Sequence, residues 1–387
     1  MNLLKERMDE LLNDIVKDGP VGCACVVTQD GNELYKGMSG LADLATNKPI
    51  TEETIYRIYS MTKVVTVTAA LMLYERGKFL LTDPLEMYLP EFAQMQVFRT
   101  DGDNHIYQSP AKHSIQIKDL FTMTSGITYP GENNETEKLL AKKMEQLEKE
   151  GRELTTRGLS KLIASIPLAF DPGERWHYGM SHDVLGALIE AVSGQRLGDF
   201  FRKEIFNPLQ MNDTSFRIRE GKEEHVCTFY RIDNDGEKFA DDTLDRHIQP
   251  DSLFDSGGGG LLSTLDDYSK FVQMLANGGE LNGARIIGRK TIELMASDHL
   301  TDHNRHTFNW PHFKGYSYGL GVRVLVNPQA GGINGTIGEF GWPGMLGTWT
   351  LIDPKEKLSA VYMQQLLPSF EPVNHPKIRQ VIYGTLE

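Results

Sequence analysis

The chain has 387 residues, of which 40% are hydrophobic and 24% are charged, and its formal net charge at pH 7 is −13. This is the composition of a globular protein with a large core, and it excludes a disordered chain, a collagen and a coiled coil. The acidic balance argues against nucleic-acid binding, which requires basic surfaces, and against docking on anionic lipid. Three cysteines are too few for a disulfide framework, so buried, reduced thiols are expected.

The N-terminal segment, residues 1–20, predicts an amphipathic surface helix rather than an export signal. Its apolar residues recur at helical spacing, and acidic residues interrupt any apolar segment that a signal peptide would need. The longest apolar stretch, residues 64–74, is much shorter than the ~20 residues of a membrane-spanning helix. We therefore expect a soluble, cytoplasmic protein that does not associate with a membrane.

The elements that follow change from strands to helices and back to strands. Residues 22–28 and 33–37 are predicted as two antiparallel strands joined by a turn at Asp30-Gly31. The other predicted helices cover residues 61–76, 117–123, 135–150, 181–192, 198–205, 263–276 and 379–383, and the other predicted strands lie near 226–230, 318–326, 347–352 and 358–364.

This order predicts an α/β fold of the α+β type with two domains. Residues 1–80 and 222–387 would form one discontinuous domain around an antiparallel sheet. Residues 81–221 would form a mainly helical domain inserted into it. We expect an active site in the cleft between the two.

Several common catalytic and binding motifs are absent from the sequence. It contains no Gly-x-Ser-x-Gly nucleophile elbow, no phosphate-binding Gly-x-x-x-x-Gly-Lys and no His-Glu-x-x-His. The glycine run at residues 257–260 is therefore interpreted as a site of close backbone packing. His303, His306 and His312 are near one another, but their spacing does not match a zinc site. Neither a metal nor a cofactor is predicted.

A Ser-x-x-Lys pattern occurs twice, at Ser60-Met61-Thr62-Lys63 and at Ser109-Pro110-Ala111-Lys112. Nucleophilic chemistry needs the two side chains one helical turn apart, so that the amine reaches the hydroxyl. Ser60 begins a long apolar helix that supplies this geometry and the positive end of a helix dipole. Ser109 lies in a polar stretch that we predict to be a surface loop.

The motif at Ser60 has two interpretations on its own evidence. In the catalytic one, apolar neighbours desolvate Lys63 and lower its pKa from the ordinary value of about 10.4, which makes it a general base. In the other, Ser60 is a helix cap, for which serine is a favoured residue, and Lys63 is a solvated lysine.

Longer segments around the motif decide between these interpretations. They resemble, in order along the chain, the serine β-lactamases and penicillin-binding proteins, and within that superfamily the class C-like family VIII carboxylesterases and related acyltransferases. The matching segments are Tyr56-Arg-Ile-Tyr-Ser-Met-Thr-Lys63, Leu81-Thr-Asp-Pro84, Ile117-Lys-Asp-Leu-Phe-Thr-Met-Thr-Ser-Gly126, Phe170-Asp-Pro-Gly-Glu-Arg-Trp-His-Tyr178, Asn207-Pro-Leu-Gln-Met-Asn-Asp-Thr214 and Gly258-Gly-Gly-Leu-Leu-Ser-Thr-Leu-Asp266.

The resemblance implies a fold and three catalytic roles. The fold is β-lactamase/transpeptidase-like, a central antiparallel sheet flanked by helices with a mainly helical insertion. Ser60 would be the acylated nucleophile and Lys63 its base, and Tyr178 would relay the proton to the leaving group and activate water. Read from the residues alone, Tyr178 could also be a core aromatic beside Trp176.

Two departures from the lactamase pattern concern the substrate. Class C lactamases carry Tyr-x-Asn where this chain has Tyr178-Gly-Met180, and lactamases carry Lys-Thr-Gly where it has Trp342-Pro-Gly344. A methionine donates no hydrogen bond to an amide, and a tryptophan ring is an apolar wall without a cation. The resemblance therefore implies neutral ester substrates, with Trp342 and Gly344 in the substrate site and the backbone N–H groups of Ser60 and Met345 as the oxyanion hole.

The sequence thus predicts a serine hydrolase that cleaves small-molecule carboxylic esters through an acyl-enzyme on Ser60. An acyltransferase using the same acyl-enzyme, or a weakly catalytic protein that recognises β-lactams or D-peptides, is the alternative. An aromatic run borders the acyl pocket or belongs to the core, and its members are Phe308, Trp310, Phe313, Tyr316 and Tyr318. The oligomeric state is not predicted.

Overall fold

The computed structural model describes residues 3–386 and is organised around an eight-stranded antiparallel sheet. The strand order is β12-β13-β14-β15-β16-β1-β2-β3, so the two ends of the chain build one sheet. Its strands are β1 Gly22–Gln29, β2 Asn32–Asp43, β3 Lys48–Pro49, β12 Tyr316–Tyr318, β13 Arg323–Leu325, β14 Phe340–Gly341, β15 Trp349–Asp353 and β16 Leu358–Gln364.

The remaining strands form small ribbons outside the large sheet. They are β4 Ile55–Arg57 with β9 Leu262–Thr264, β5 Gln96–Thr100 with β6 Ile106–Pro110, β7 Tyr230–Ile232 with β8 Lys238–Ala240 and β17 Leu366–Leu367, and β10 Glu280–Leu281 with β11 Ala284–Arg285.

The helices of the described chain lie on both faces of the sheet and in the middle segment. They are α1 Leu3–Asp18, α2 Thr62–Glu75, α3 Ile117–Phe121, α4 Glu135–Lys149, α5 Thr156–Ala164, α6 Ser181–Ser193, α7 Leu197–Phe201, α8 Leu265–Ala276, α9 Arg289–Met295, α10 Asp302–Arg305, α11 Pro328–Gly331 and α12 Glu371–Tyr383.

The central strands β1, β15 and β16 are buried at nearly every position because both of their faces are covered. In β1, Ala24 and Val26 belong to the main core, and Cys23 and Cys25 belong to a second core on the opposite face. That second core is closed by α1 and α12. Alternation along a strand therefore separates two apolar layers, as the twofold period of side chains requires. The three cysteines are buried and free.

Helix α2, which carries the Ser-x-x-Lys lysine, is buried all round. Every residue from Thr62 to Leu73 is buried. It packs against α6 on one side, and its apolar side chains belong to the main hydrophobic core. A helix enclosed in this way holds its first turn in a defined position, which matters because that turn adjoins Ser60.

Three local predictions differ from the structure. Ser109 lies in strand β6 rather than in a loop, since residues 96–110 form a hairpin and the Ser109 hydroxyl accepts a hydrogen bond of 2.8 Å from Arg99. The cap of α8 is Thr264, whose Oγ1 accepts from the Asp267 N–H at 3.2 Å, one residue beyond the predicted Ser263. Helix α12 begins at Glu371, eight residues before the predicted start at residue 379, because apolar contacts with α1 extend it.

The helical character of the middle segment agrees with expectation, while the proposed domain limits at residues 80 and 222 stay predictions. The predicted fold class, an antiparallel sheet flanked by helices with a helix-rich middle, is confirmed. Among residues 3–386, no helix is both long enough and apolar enough to span a bilayer.

Candidate active site

Ser60 lies in a single 3₁₀ turn between strand β4 and helix α2. The turn comprises Tyr59–Met61, and α2 continues directly from it. Strand β4 pairs with β9, so the chain enters the turn from a fixed direction. Tyr59 has a φ of 40°, a left-handed conformation that is costly for a bulky residue and is characteristic of functional sites. The backbone is therefore bent sharply just before the candidate nucleophile.

Lys63 is fully buried and donates hydrogen bonds to three oxygen atoms. Its Nζ donates to the Ser60 Oγ at 3.2 Å, to the Tyr129 Oη at 2.9 Å and to the Gly258 carbonyl oxygen at 2.6 Å. The same nitrogen lies 4.7 Å from the ring centre of Tyr178. The solvated-lysine interpretation of the motif is therefore wrong, since all three donors are used inside the protein.

The predicted direction of the Lys63 pKa shift is also wrong. Burial acts to lower the pKa of Lys63, as the sequence suggested, but the phenol oxygens of Tyr129 and Tyr178 favour the charged ammonium more strongly. The pKa of Lys63 is consequently raised above its ordinary value. Lys63 thus carries its proton at neutral pH and acts on its neighbours as a fixed positive charge.

Tyr178 also reaches the hydroxyl of Ser60. Its Oη lies 2.7 Å from the Ser60 Oγ and accepts a hydrogen bond of 3.0 Å from the Trp342 Nε1. Trp342 is 1% exposed and its ring lies 5.4 Å from that of Tyr178. The indole is therefore more than the apolar wall expected from the sequence, because it also supplies a donor to the tyrosine oxygen.

Tyr129 belongs to the site and was missed at the sequence level. Besides accepting from Lys63, its ring lies 5.5 Å from the ring of Tyr178. Burial raises the pKa of the Tyr129 phenol, which keeps it neutral. Its position three residues after the matching segment that ends at Gly126 was the only available signal.

Asp183 at the start of α6 fixes the glycine run beside Lys63. Its Oδ1 accepts from the Ser256 Oγ at 2.6 Å and from the Gly258 N–H at 3.1 Å. A Cβ on Gly258 would lie 2.4 Å from the Asp183 Oδ2, so the predicted close backbone packing is confirmed. Asp183 thereby sets the position of the carbonyl oxygen that Lys63 binds.

The segment from Trp342 to Met345 closes the site against the turn that carries Ser60. A Cβ on Gly344 would lie 2.4 Å from the Ile58 carbonyl oxygen and 2.1 Å from the Thr348 Oγ1. Only glycine allows this approach. Met345 follows with an exposed side chain, and both residues line the same pocket as Ser60.

That pocket has a volume of about 630 Å³ and gathers most of the predicted residues. Ser60, Tyr178, Trp342, Gly344 and Met345 line it, and Lys63 lies beneath its floor. Of the aromatic run, Trp310 lines the pocket, whereas the other members are buried behind it. The charged helix α4 contributes nothing to the lining. Within residues 3–386, no group of acidic, histidine and cysteine side chains has the arrangement of a metal site.

Comparison with known proteins places this arrangement in a family. The family model described as Beta-lactamase matches residues 2–382. Protein Rv1367c of Mycobacterium tuberculosis is 32% identical over 90% of this chain and 86% of its own length, and Esterase EstB of Burkholderia gladioli is 26% identical over 98% and 95%. The solved structure of EstCE1, described as a hydrolase with promiscuous acyltransferase activity, matches with a TM-score of 0.82 and 25% identity over 99% of both chains. The chain belongs to the β-lactamase family.

Proposed function

We propose that this protein is a serine carboxylesterase that forms an acyl-enzyme on Ser60. The observation that supports it best is the convergence of the Lys63 Nζ and the Tyr178 Oη on one hydroxyl, at 3.2 and 2.7 Å, in the wall of an open pocket. A nucleophile within hydrogen-bond reach of a base, with a third group that orients the base, is the pattern of covalent catalysis. The similarity to Esterase EstB supports an ester as the substrate.

In acylation, Tyr178 acts as the general base. The Ser60 Oγ attacks the ester carbonyl carbon and passes its proton to the Tyr178 Oη. Lys63 is not the base, because its raised pKa keeps it protonated. Its ammonium and the Trp342 N–H instead stabilise the negative charge that develops on the Tyr178 oxygen during proton transfer. Tyr178 then gives the proton to the leaving alkoxide as the carbon–oxygen bond of the ester breaks.

Deacylation runs through the same groups in reverse order. Tyr178 removes a proton from water, the resulting hydroxide attacks the acyl carbon, and the bond to the Ser60 Oγ breaks. The proton returns from Tyr178 to Ser60, and the carboxylic acid leaves. In both steps the negative charge on the carbonyl oxygen is held by the backbone N–H groups of Ser60 and Met345, which adjoin the same pocket.

The test uses p-nitrophenyl butyrate and a fluorophosphonate probe. Wild-type protein is expected to release p-nitrophenol and to gain the mass of one probe molecule on Ser60. The Ser60→Ala variant should lose both. Ser109→Ala is the matched control, since it removes the serine of the second Ser-x-x-Lys pattern and should leave both unchanged. Full turnover by Ser60→Ala would falsify the proposal.

Acyl transfer to an alcohol is the second candidate function, and the volume of the pocket supports it. About 630 Å³ admits an alcohol beside the acyl group, and EstCE1 carries out both hydrolysis and transfer. Product analysis with an added alcohol separates the two. New ester formed at the expense of free acid indicates transfer, and unchanged acid release indicates hydrolysis.

A further inference from the structure

The pocket walls carry negative but no positive side chains. Of the described residues that line it, Asp183 and Glu371 are acidic and none is lysine or arginine. His247 also lines it, and burial lowers the pKa of His247, so it is neutral at pH 7. The Lys63 ammonium lies below the floor, with its donors used by Ser60, Tyr129 and Gly258. A substrate therefore meets no free cation in this pocket.

The two carboxylates differ in their access to a substrate. Asp183 is 3% exposed and is held by Ser256 and Gly258. Glu371, the first residue of α12, keeps 19% of its side chain exposed and shares its wall with Trp310 and the residues that follow Trp342. Glu371 is therefore the more exposed of the two acidic side chains in this pocket.

The groups around Glu371 keep it ionised. Burial raises the pKa of Glu371, but its contact with His312, whose Nε2 lies 3.4 Å from the Oε1, and the positive charges nearby lower it further, so that the net shift is downward. Arg323 is one of these charges, and it lines a separate small cavity behind Glu371, where its guanidinium lies 5.5 Å from the Phe313 ring and 5.1 Å from the Tyr316 ring. Glu371 thus stands between Arg323 and the pocket.

The same side of the pocket presents aromatic faces. The Trp310 ring lies 5.4 Å from that of Tyr178 and 6.2 Å from that of Trp342, and Trp310 is partly exposed. Ring faces attract cations such as ammonium groups. A carboxylate beside exposed indole is therefore suited to a cation and unsuited to an anion.

We propose that Glu371 makes this pocket select esters that carry an ammonium group, or no charge, over esters that carry a carboxylate. This specificity rests on the proposed esterase function and names its substrate class. Such a pocket rejects the carboxylate of a β-lactam or of a peptide C-terminus. The net charge of −13 acts in the same direction, since it attracts cations over longer distances.

The test compares three p-nitrophenyl esters with equal acyl chains that end in a trimethylammonium, a tert-butyl or a carboxylate group. The first two have nearly the same shape and differ in charge. Wild-type kcat/KM is expected to fall in that order, by about tenfold or more from the ammonium to the carboxylate ester, mainly through KM. Glu371→Gln should bring the three kcat/KM values together.

The control is Glu148→Gln, which removes one exposed carboxylate from α4, far from the pocket lining. It should keep the wild-type order. If Glu371→Gln does not fold, Glu371→Asp is the second variant. It keeps the negative charge on a side chain that is shorter by one methylene. The difference in kcat/KM between the ammonium and the carboxylate ester should then shrink, but by less than expected for Glu371→Gln. Equal rates for the three esters in wild type, or an unchanged order in a folded Glu371 variant, overturn the proposal. Failure to hydrolyse p-nitrophenyl butyrate as well would instead contradict the esterase function.

Discussion

The indole Nε1 of Trp342 donates a 3.0 Å hydrogen bond to the Tyr178 Oη, the atom that also lies 2.7 Å from the Ser60 Oγ. One oxygen thus connects the strand-end residue that replaces the lactamase lysine with the nucleophile. In the proposed mechanism, a donor at this place stabilises the negative charge that develops on the tyrosine oxygen. Trp342 therefore supplies a hydrogen-bond donor to the Tyr178 oxygen but no positive charge to the substrate.

Trp342→Phe should slow the reaction without weakening substrate binding. It keeps an aromatic wall and removes the donor to Tyr178, so kcat is expected to fall by about tenfold to a hundredfold, with KM little changed. Trp310→Phe is the control, since it shortens an indole of the same pocket that does not bond to Tyr178. A parallel loss in both variants contradicts the role of the hydrogen bond.

Tyr129→Phe tests the charge on Lys63. The Tyr129 phenol is one of the groups that raise the pKa of Lys63, so its removal should lower that pKa. In the proposed mechanism activity requires the ammonium form of Lys63, so activity should decline at a lower pH on the alkaline side than in wild type. The measurement is kcat/KM against pH, with Tyr107→Phe, an exposed tyrosine of the β5–β6 hairpin, as the control. An alkaline limb that stays in place would show that Tyr129 does not influence the proton on Lys63.

The site residues that could be identified from the sequence are those that lie within contiguous motifs. Ser60 and Lys63 are one turn apart, and Tyr178 ends a recognisable segment, so each is visible locally. Asp183 acts through Gly258, 75 positions away, and Tyr129 acts through Lys63, 66 positions away. Such pairs arise only from tertiary packing. The pKa of Lys63 was mispredicted for this reason, since local apolar neighbours were visible and the distant phenols were not.

The same distinction applies to the fold. Strands β1 and β16 were visible as short apolar runs, but their pairing joins residue 23 with residue 364 and required the structure. The turn chemistry was also only partly readable, because Ser263 and Thr264 are both good caps and the choice depends on where β9 ends. Local preference therefore located many of the elements, and packing decided where they begin and end, as at α12, which begins eight residues before its predicted start.

Gly344→Ala should be severely damaging although it adds one methyl group. The new Cβ would lie 2.1 Å from the Thr348 Oγ1 and 2.4 Å from the Ile58 carbonyl oxygen, and the second is backbone that cannot rotate away. We expect the Met345 segment to move away from Ser60, with kcat reduced by about a hundredfold or more. Gly102→Ala is the matched control, because nothing lies within 4 Å of its Cβ. Equal activity of the two variants would show that this close approach is not needed.

Asp171 connects the β5–β6 hairpin to the segment that presents Tyr178. Its carboxylate accepts two hydrogen bonds from Arg99, at 2.8 and 2.9 Å, and forms an ion pair of 3.2 Å with Lys112. The bond from Arg99 is the main reason that the pKa of Asp171 lies well below its usual range. The lysine of the second Ser-x-x-Lys pattern therefore has a structural partner rather than a catalytic one.

Asp171→Asn should lower the free energy of unfolding by about 2–4 kcal/mol at pH 7, because it leaves Arg99 without its countercharge. A carboxyl whose folded pKa is depressed stabilises the protein above the unfolded pKa of about 3.9, and this contribution is lost as the pH falls towards the folded value. The difference between wild type and variant should thus be constant near neutrality and shrink below about pH 4. Urea unfolding across that range measures it, with Asp103→Asn at the exposed tip of the same hairpin as the control. A difference that does not depend on pH would assign the loss to packing rather than to the charge of Asp171.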